Sequence, residues 1–298
     1  MAPSDTDRSP KTRERYIELA ERRVIPHLGD EKLQALKPEH LEHWHAAPAA
    51  TGLSARTVGH AHRVLGACLR RAVENGTLAR NVTTVRKPPK VEDGEVEILN
   101  QDQVSAVLAA LKGHALYPIV VLALSTGCRR GELCGLEWRD IDLDRGTLRV
   151  ERSIEETRSG GLRVKSPKTR RGRRNISLPL HAVELLREHY KAQLELRLQL
   201  GLGGKPTIVF ATVEGRHIKP NSISRDWLRL CTRKKLPRVS FHALRHTHVS
   251  ALIRQGVDIL TISRRIGHSK PATTLNVYGR LVEGSDAAAA KAIEGMLK

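Results

Sequence analysis

A chain of 298 residues is long for one hydrophobic core and suits two domains. Its 51 Lys and Arg against 32 Asp and Glu give a formal charge of +19, an excess that points to a polyanionic partner. No stretch approaches the roughly 20 apolar residues of a membrane span and no charged-then-apolar leader opens the chain, so no membrane partner and a cytoplasmic, nucleoid-associated location are expected.

Aromatic residues make up 3% of the chain, too few for the stacking platforms that hold single strands, which favours duplex DNA. The four cysteines, Cys68, Cys128, Cys134 and Cys231, form no C-x-x-C pair and read as reduced core thiols rather than a zinc site.

In chain order, PKTRERYIELAERRVIPHL, residues 10–28, predicts one helix stopped by Gly29. A second, short helix starts near Pro38 in PEHLEHWHAA. Its His40, His43 and His45 lack a carboxylate or cysteine at ligand spacing and read as a solvated or DNA-facing polar edge. Ser54 is an N-cap for a helix whose Val58, Ala61, Leu65, Cys68, Leu69 and Ala72 recur at helical spacing until ENG at 74–76.

The segment RKPPKVEDGEVEIL, 86–99, has two prolines, mixed charge and no apolar period, and reads as a linker. Beyond it the pattern predicts an apolar helix over 103–111, a very apolar one over 116–124, and a polar one opening at GCRRGELCGL. Three alternating runs, TLRVERSI, LRVKS and RNISLPL, should form one small antiparallel sheet. From about 181 the period is helical to the end, with an interruption near 201–220. The expected fold is mainly α. An N-terminal helical domain at 1–88 and a linker at 89–97 precede a mainly helical domain with a small antiparallel sheet at 98–298.

Four separated places share a cation or proton donor at a turn or helix start: Arg129 in TGCRRGEL, Lys168 in SPKTRRGRR, His242 with Arg245 in HALRH, and His268 in IGHS. Tyr278, one of only four tyrosines, follows in ATTLNVYGR. The stretch FHALRHTHVSALI alone is ambiguous, because a basic helix start can touch phosphates and His242 and His246, one turn apart, could be metal ligands.

Together, in this order, these motifs resemble those of the tyrosine recombinase, or phage integrase, family over nearly the whole chain. The resemblance implies a helical, SAM-like core-binding domain followed by the catalytic domain, with neither cofactor nor metal. It implies catalytic roles for Arg129, Lys168, His242, Arg245, His268 and Tyr278, with Glu132 supporting. Arg130, Arg170, Arg171, Arg173 and Arg174 are expected to contact DNA. A terminal helix at about 285–297 is expected to be exchanged between protomers of a tetramer, with directionality or bending factors as further partners.

The physics asks for the same residue types. Breaking a DNA strand without metal needs a nucleophile, a place for charge on the non-bridging oxygens, and a proton for the leaving oxygen. The planar fork of arginine suits phosphate oxygens, so Arg129 and Arg245 would clamp the phosphorane. His268 would add a hydrogen bond, His242 would accept the proton of Tyr278, and Lys168 would protonate the departing 5′ oxygen. His246 and His248 read as packing or capping residues. Two other functions fit parts of this pattern: DNA relaxation of the type IB topoisomerase kind, which shares the chemistry, and a non-catalytic DNA-binding regulator.

Overall fold

A computed structural model of the chain describes residues 9–50, 53–91, 96–166, 172–279 and 293–294. The chain divides into two compact units, residues 1–94 with 157–159, and residues 95–156 with 160–298.

In the first unit, helix α1 (Pro10–Leu19) opens with Pro10 in its first turn and the Ser9 hydroxyl accepting from the Thr12 N–H. The expected single helix to residue 28 is instead interrupted. Ala20–Val24 form a π-helical turn before α2 (Ile25–Leu28). The cause is Pro26, which has no N–H to give to residue 22 and whose ring would collide with that residue's carbonyl, so the turn ahead of it widens.

Helix α3 (Pro38–Ala50) and the 20-residue α4 (Ala55–Glu74), capped by Ser54, complete the unit. Leu19, Val24, Leu41, Trp44, Ala61, Val64, Leu69 and Val82 form its core. The Trp44 indole N–H donates to the Arg23 carbonyl at 2.6 Å, tying α3 to the widened turn.

His45 departs from the sequence expectation of a solvated or DNA-facing edge, being only 8% exposed beside His62 at 6%. The Thr83 carbonyl can only accept, so His62 Nε2 carries a proton towards it (3.3 Å) and His62 Nδ1 accepts from His45 Nε2 (3.1 Å). His62 must be neutral to make this chain, because a protonated Nδ1 cannot accept. Burial, then the charge of His62, lowers the His45 pKa from 6.5 to about 4, and burial lowers that of His62.

In the second unit, α5 (Gln101–Leu111) starts at a capping box between Asn100 and Gln103. Helix α6 (Tyr117–Thr126) is apolar on every side and lies in the core; α7 (Arg130–Cys134) follows it at once. Strands β1 (Ile141–Asp142), β2 (Thr147–Val150), β3 (Ser153–Thr157), β4 (Gly161–Lys165) and β5 (Arg174–Ser177) come next. They are followed by α8 (Leu180–Gln199), α9 (Pro220–Arg233), α10 (Ala243–Arg254), α11 (Ile259–Ile266) and α12 (Pro271–Tyr278).

The strands make two sheets rather than the expected one: β2 lies between β1 and β5, and among the described residues β3 pairs only with β4. Leu148 of β2 stands opposite Ile141 on one side and Ile176 on the other, both antiparallel. The run TLRVERSI breaks at its centre because the Arg152 guanidinium turns onto the buried Asp140 and onto Glu137. Its two halves therefore join different sheets. The mainly helical class with small antiparallel sheets is as the sequence predicts. Among the described residues, no helix is long and apolar enough to cross a membrane.

The buried histidine pair sets a pH dependence. Because the folded pKa of His45 lies below the unfolded value, unfolding takes up protons; the stabilisation is complete above pH 6.5 and is lost as pH falls towards 4. Thermal unfolding of wild type should weaken through that window more steeply than unfolding of a variant carrying His45→Leu and His62→Leu. Equal slopes in the two proteins would contradict it.

Candidate active site

Two helix ends build the site. Helix α6 stops at Gly127 and α11 at Gly267, both left-handed with φ of 64° and 68°, a conformation that disfavours a side chain. A Cβ on Gly127 would also stand 2.6 Å from the His248 ring. The two ends leave carbonyls without helical partners, and arginines take them.

Arg245, 3% exposed, donates from Nη1 to the Gly127 carbonyl at 2.6 Å and from Nη2 to the Ile266 carbonyl at 2.8 Å. Helix C-termini carry partial negative charge and suit a cation. Burial, then the neighbouring Arg129, lowers its pKa to about 10, so it stays charged at neutral pH.

Arg129 sits at the start of α7 in extended conformation, and its N–H donates to Glu132 Oε2 at 2.8 Å. Its Nη1 donates to Glu132 Oε1 (2.9 Å) and its Nη2 to the Gly267 carbonyl (3.3 Å). The side chain keeps 41% of its surface exposed, so further donors remain free for a ligand. Burial pushes the Glu132 carboxyl up, yet the hydrogen bonds and charge of Arg174 and the charge of Arg129 prevail and hold it at about 2.

Arg174 corrects an expectation. Its side chain is 6% exposed, and its donors are turned inwards, to Glu132 at 3.2 and 2.8 Å, to the Arg265 carbonyl at 2.7 Å, to the Gly172 carbonyl at 3.2 Å and to Cys128 Sγ at 3.7 Å. A guanidinium so committed braces Glu132 and does not reach for DNA. Arg130 is held by Asn221 at 3.2 Å and by Ser224. Arg173 is exposed, with Glu151 at 3.6 Å. Lys168, Arg170 and Arg171 lie outside the described residues, as does all but residues 293–294 of the terminal segment 285–297.

Tyr278 ends α12 and packs with Val249, Ile262 and Ile266, 2% exposed; burial pushes its phenol to about 12. Its hydroxyl meets Nδ1 of His246, not His242 as the sequence suggested. His242 is exposed and packs edge-on against the His246 ring, with centroids 4.8 Å apart. The spacing of one helical turn between His242 and His246 was the available signal. His248 does cap: its Nδ1–H donates to the Leu124 carbonyl at 2.7 Å and its Nε2 accepts from Arg265 at 3.2 Å. His268 Nδ1 bonds the Thr274 hydroxyl at 2.8 Å, and burial followed by Arg245 and Arg129 lowers its pKa to about 4.

Among the described residues, no group of three or more His, Cys, Asp and Glu is placed to hold a metal ion. Two cationic forks on helix ends beside a buried tyrosine are an arrangement suited to phosphoryl transfer onto a protein hydroxyl.

Known proteins agree with that class. Residues 97–283 match the phage integrase family and residues 4–47 its N-terminal SAM-like domain. An integrase of Streptomyces ambofaciens is 32% identical over 98% of this chain and 76% of its own. A tyrosine recombinase XerC-like protein of Caldanaerobacter subterraneus is 30% identical over 84% of this chain and 69% of its own. The Tn1549 transposon integrase, solved in complex with transposon right end DNA, has the same fold, with a TM-score of 0.81 at 21% identity over 98% of this chain and 96% of that one. The chain belongs to the phage integrase family, the tyrosine recombinases, enzymes of DNA strand transesterification.

The bracing of Glu132 is testable by stability. Arg174→Met strips a buried carboxylate of its main partner and should cost about 3 kcal/mol. Arg173→Ala, at the surface, should cost less than about 1 kcal/mol. Urea unfolding of the two variants measures both, and equal losses would contradict an inward role for Arg174.

Proposed function

We propose that the protein is a site-specific DNA recombinase in which Tyr278 attacks the scissile phosphate of duplex DNA. The Tyr278 oxygen forms a bond to phosphorus, the bond to the 5′ oxygen breaks, and the products are a 3′-phosphotyrosyl link and a free 5′ hydroxyl. The phenol proton leaves to a base and the departing oxygen gains one, assigned to Lys168. Attack by a 5′ hydroxyl from another strand reverses the step and joins new partners. The bond energy stays in the phosphotyrosine, so neither ATP nor metal enters.

The observation that carries this reading is the shared anchorage of Arg129 and Arg245. Both hang from the carbonyls of Gly127, Ile266 and Gly267, and the chain leaving Gly267 runs through His268 into the helix that ends at Tyr278. Arg129 and Arg245 would share the non-bridging oxygens. With Nδ1 engaged by Thr274, His268 has Nε2 left for the same oxygens, and the exposed His242 lies where it can approach the substrate. Glu132 supports Arg129, and Arg130 and Arg173 would contact flanking phosphates together with Arg170 and Arg171. Duplex DNA as partner is supported by the charge of +19 and by relatives such as the lambda integrase dimer bound to a core site. Assembly of a tetramer through the segment 285–297, accessory bending or directionality factors, and action on DNA in the cytoplasm complete the proposal.

A nicked duplex whose short 5′-hydroxyl fragment diffuses away should trap wild-type protein in a denaturation-resistant adduct, undiminished by EDTA. Tyr278→Phe should bind the same duplex with similar affinity and give no adduct. Arg129→Ala and Arg245→Ala should cut the rate by about 10² to 10³, the usual cost of a lost oxyanion contact. An adduct peptide that maps to Tyr16, Tyr117 or Tyr190 would overturn the assignment.

Affinity should also fall with salt, log affinity dropping by about 0.9 per log unit of salt for every phosphate neutralised. A titration in which affinity is independent of salt would remove the electrostatic basis of binding.

A further inference from the structure

His246 has no part in the mechanism above, yet its Nδ1 is the atom that meets the Tyr278 hydroxyl. We propose that His246 is the positioning residue for the nucleophile: its ring nitrogen accepts the phenolic hydrogen bond and fixes where the Tyr278 oxygen points. This rests on the reading of Tyr278 as the attacking group.

The direction of the bond follows from charge. Burial, then the charges of His242 and Arg245, lowers the His246 pKa to about 4, so the ring is neutral. With the phenol protonated as well, its O–H donates, Nδ1 accepts, and Nε2 carries the imidazole proton.

The ring is held from both chain directions. Arg245, just before it, is tied to the Gly127 and Ile266 carbonyls. Just after it, the buried Thr247 accepts from the Leu99 N–H at 2.9 Å. The His242 ring packs against it at right angles. These contacts narrow the rotamers open to the ring, which is what a positioning residue requires. The phenol, in contrast, ends a helix and rests on aliphatic side chains, Val249, Ile262 and Ile266. These fill space around the ring but offer its oxygen no direction. His246 supplies the direction, and through it the phenol is referred to the same helix that carries Arg245. The nucleophile and one phosphate clamp thus share a rigid base.

The test uses the full chain and a nicked duplex whose core sequence the wild-type protein itself selects, as covalent adduct, from a randomised duplex library. His246→Leu keeps much of the volume and removes the acceptor. His246→Asn restores an acceptor near the position of Nδ1. At saturating duplex, single-turnover adduct formation by His246→Leu should slow by about 10²-fold, the scale of a misplaced reacting group, with DNA affinity unchanged. His246→Asn should recover most of that loss. The defect of His246→Leu should persist when the leaving 5′ oxygen is replaced by sulfur, because a thiolate relieves the need for a leaving-group proton and not the need to aim the attack.

A His246→Leu variant as fast as wild type would overturn the proposal. One faster than wild type would make the contact a restraint instead. An Asn variant as slow as the Leu variant would reduce His246 to packing. The parallel Tyr278→Phe protein separates the two readings. If it still forms adduct, the nucleophile assignment falls and the proposal falls with it; if it forms none while His246→Leu is unimpaired, only the role of His246 falls.

Discussion

The guanidinium of Arg245, clasped by the Gly127 and Ile266 carbonyls, is the interaction on which the catalytic unit depends. A buried cation costs several kcal/mol in desolvation unless well-aligned acceptors meet it. Here the acceptors are ends of two helices far apart in sequence, so α6 and α11 cannot drift without exposing an unpaired charge. The glycine after each end is what opens those carbonyls. A side chain at Gly127 would be strained by φ and would strike His248, moving the carbonyl that holds Arg245. Function and fold thus share the same two turns.

Glu132 solves the second electrostatic problem of the site. Arginines packed this closely repel one another, and a single carboxylate between Arg129 and Arg174 lowers that repulsion. It also sets the geometry. Three of the hydrogen bonds to its oxygens come from side-chain guanidinium nitrogens and one from the backbone of Arg129, so Arg129 is held by both its main chain and its fork while its exposed edge stays free.

Much of the fold was legible because local chemistry is decisive at helix ends. Ser54, Asn100 and Gly127 start and stop helices where their side chains, or the lack of one, require it. The order of Arg129, His242, Arg245, His268 and Tyr278 along the chain was enough to name a chemistry. What sequence could not supply is direction. Arg173 and Arg174 are adjacent and chemically identical, yet one faces solvent and the other is spent on Glu132. The same ambiguity hid the buried His45 and assigned the phenol to His242 when His246, one turn on, was its partner. The split of TLRVERSI into two sheets turned on where Arg152 found its carboxylates, a tertiary fact absent from strand periodicity.

The inward turn of Arg174 has a consequence for charge accounting at the reacting phosphorus. Arg129, Arg174 and Arg245 bring three positive charges, Glu132 removes one, and the imidazoles of His246 and His268 are neutral near pH 7. These six groups together carry a net charge of +2. A phosphodiester carries one negative charge, and the pentacoordinate state reached on attack carries two. In the proposed mechanism this set is matched in charge to the second of these, so its attraction for the phosphate would grow along the reaction coordinate and lower the barrier instead of merely holding the substrate.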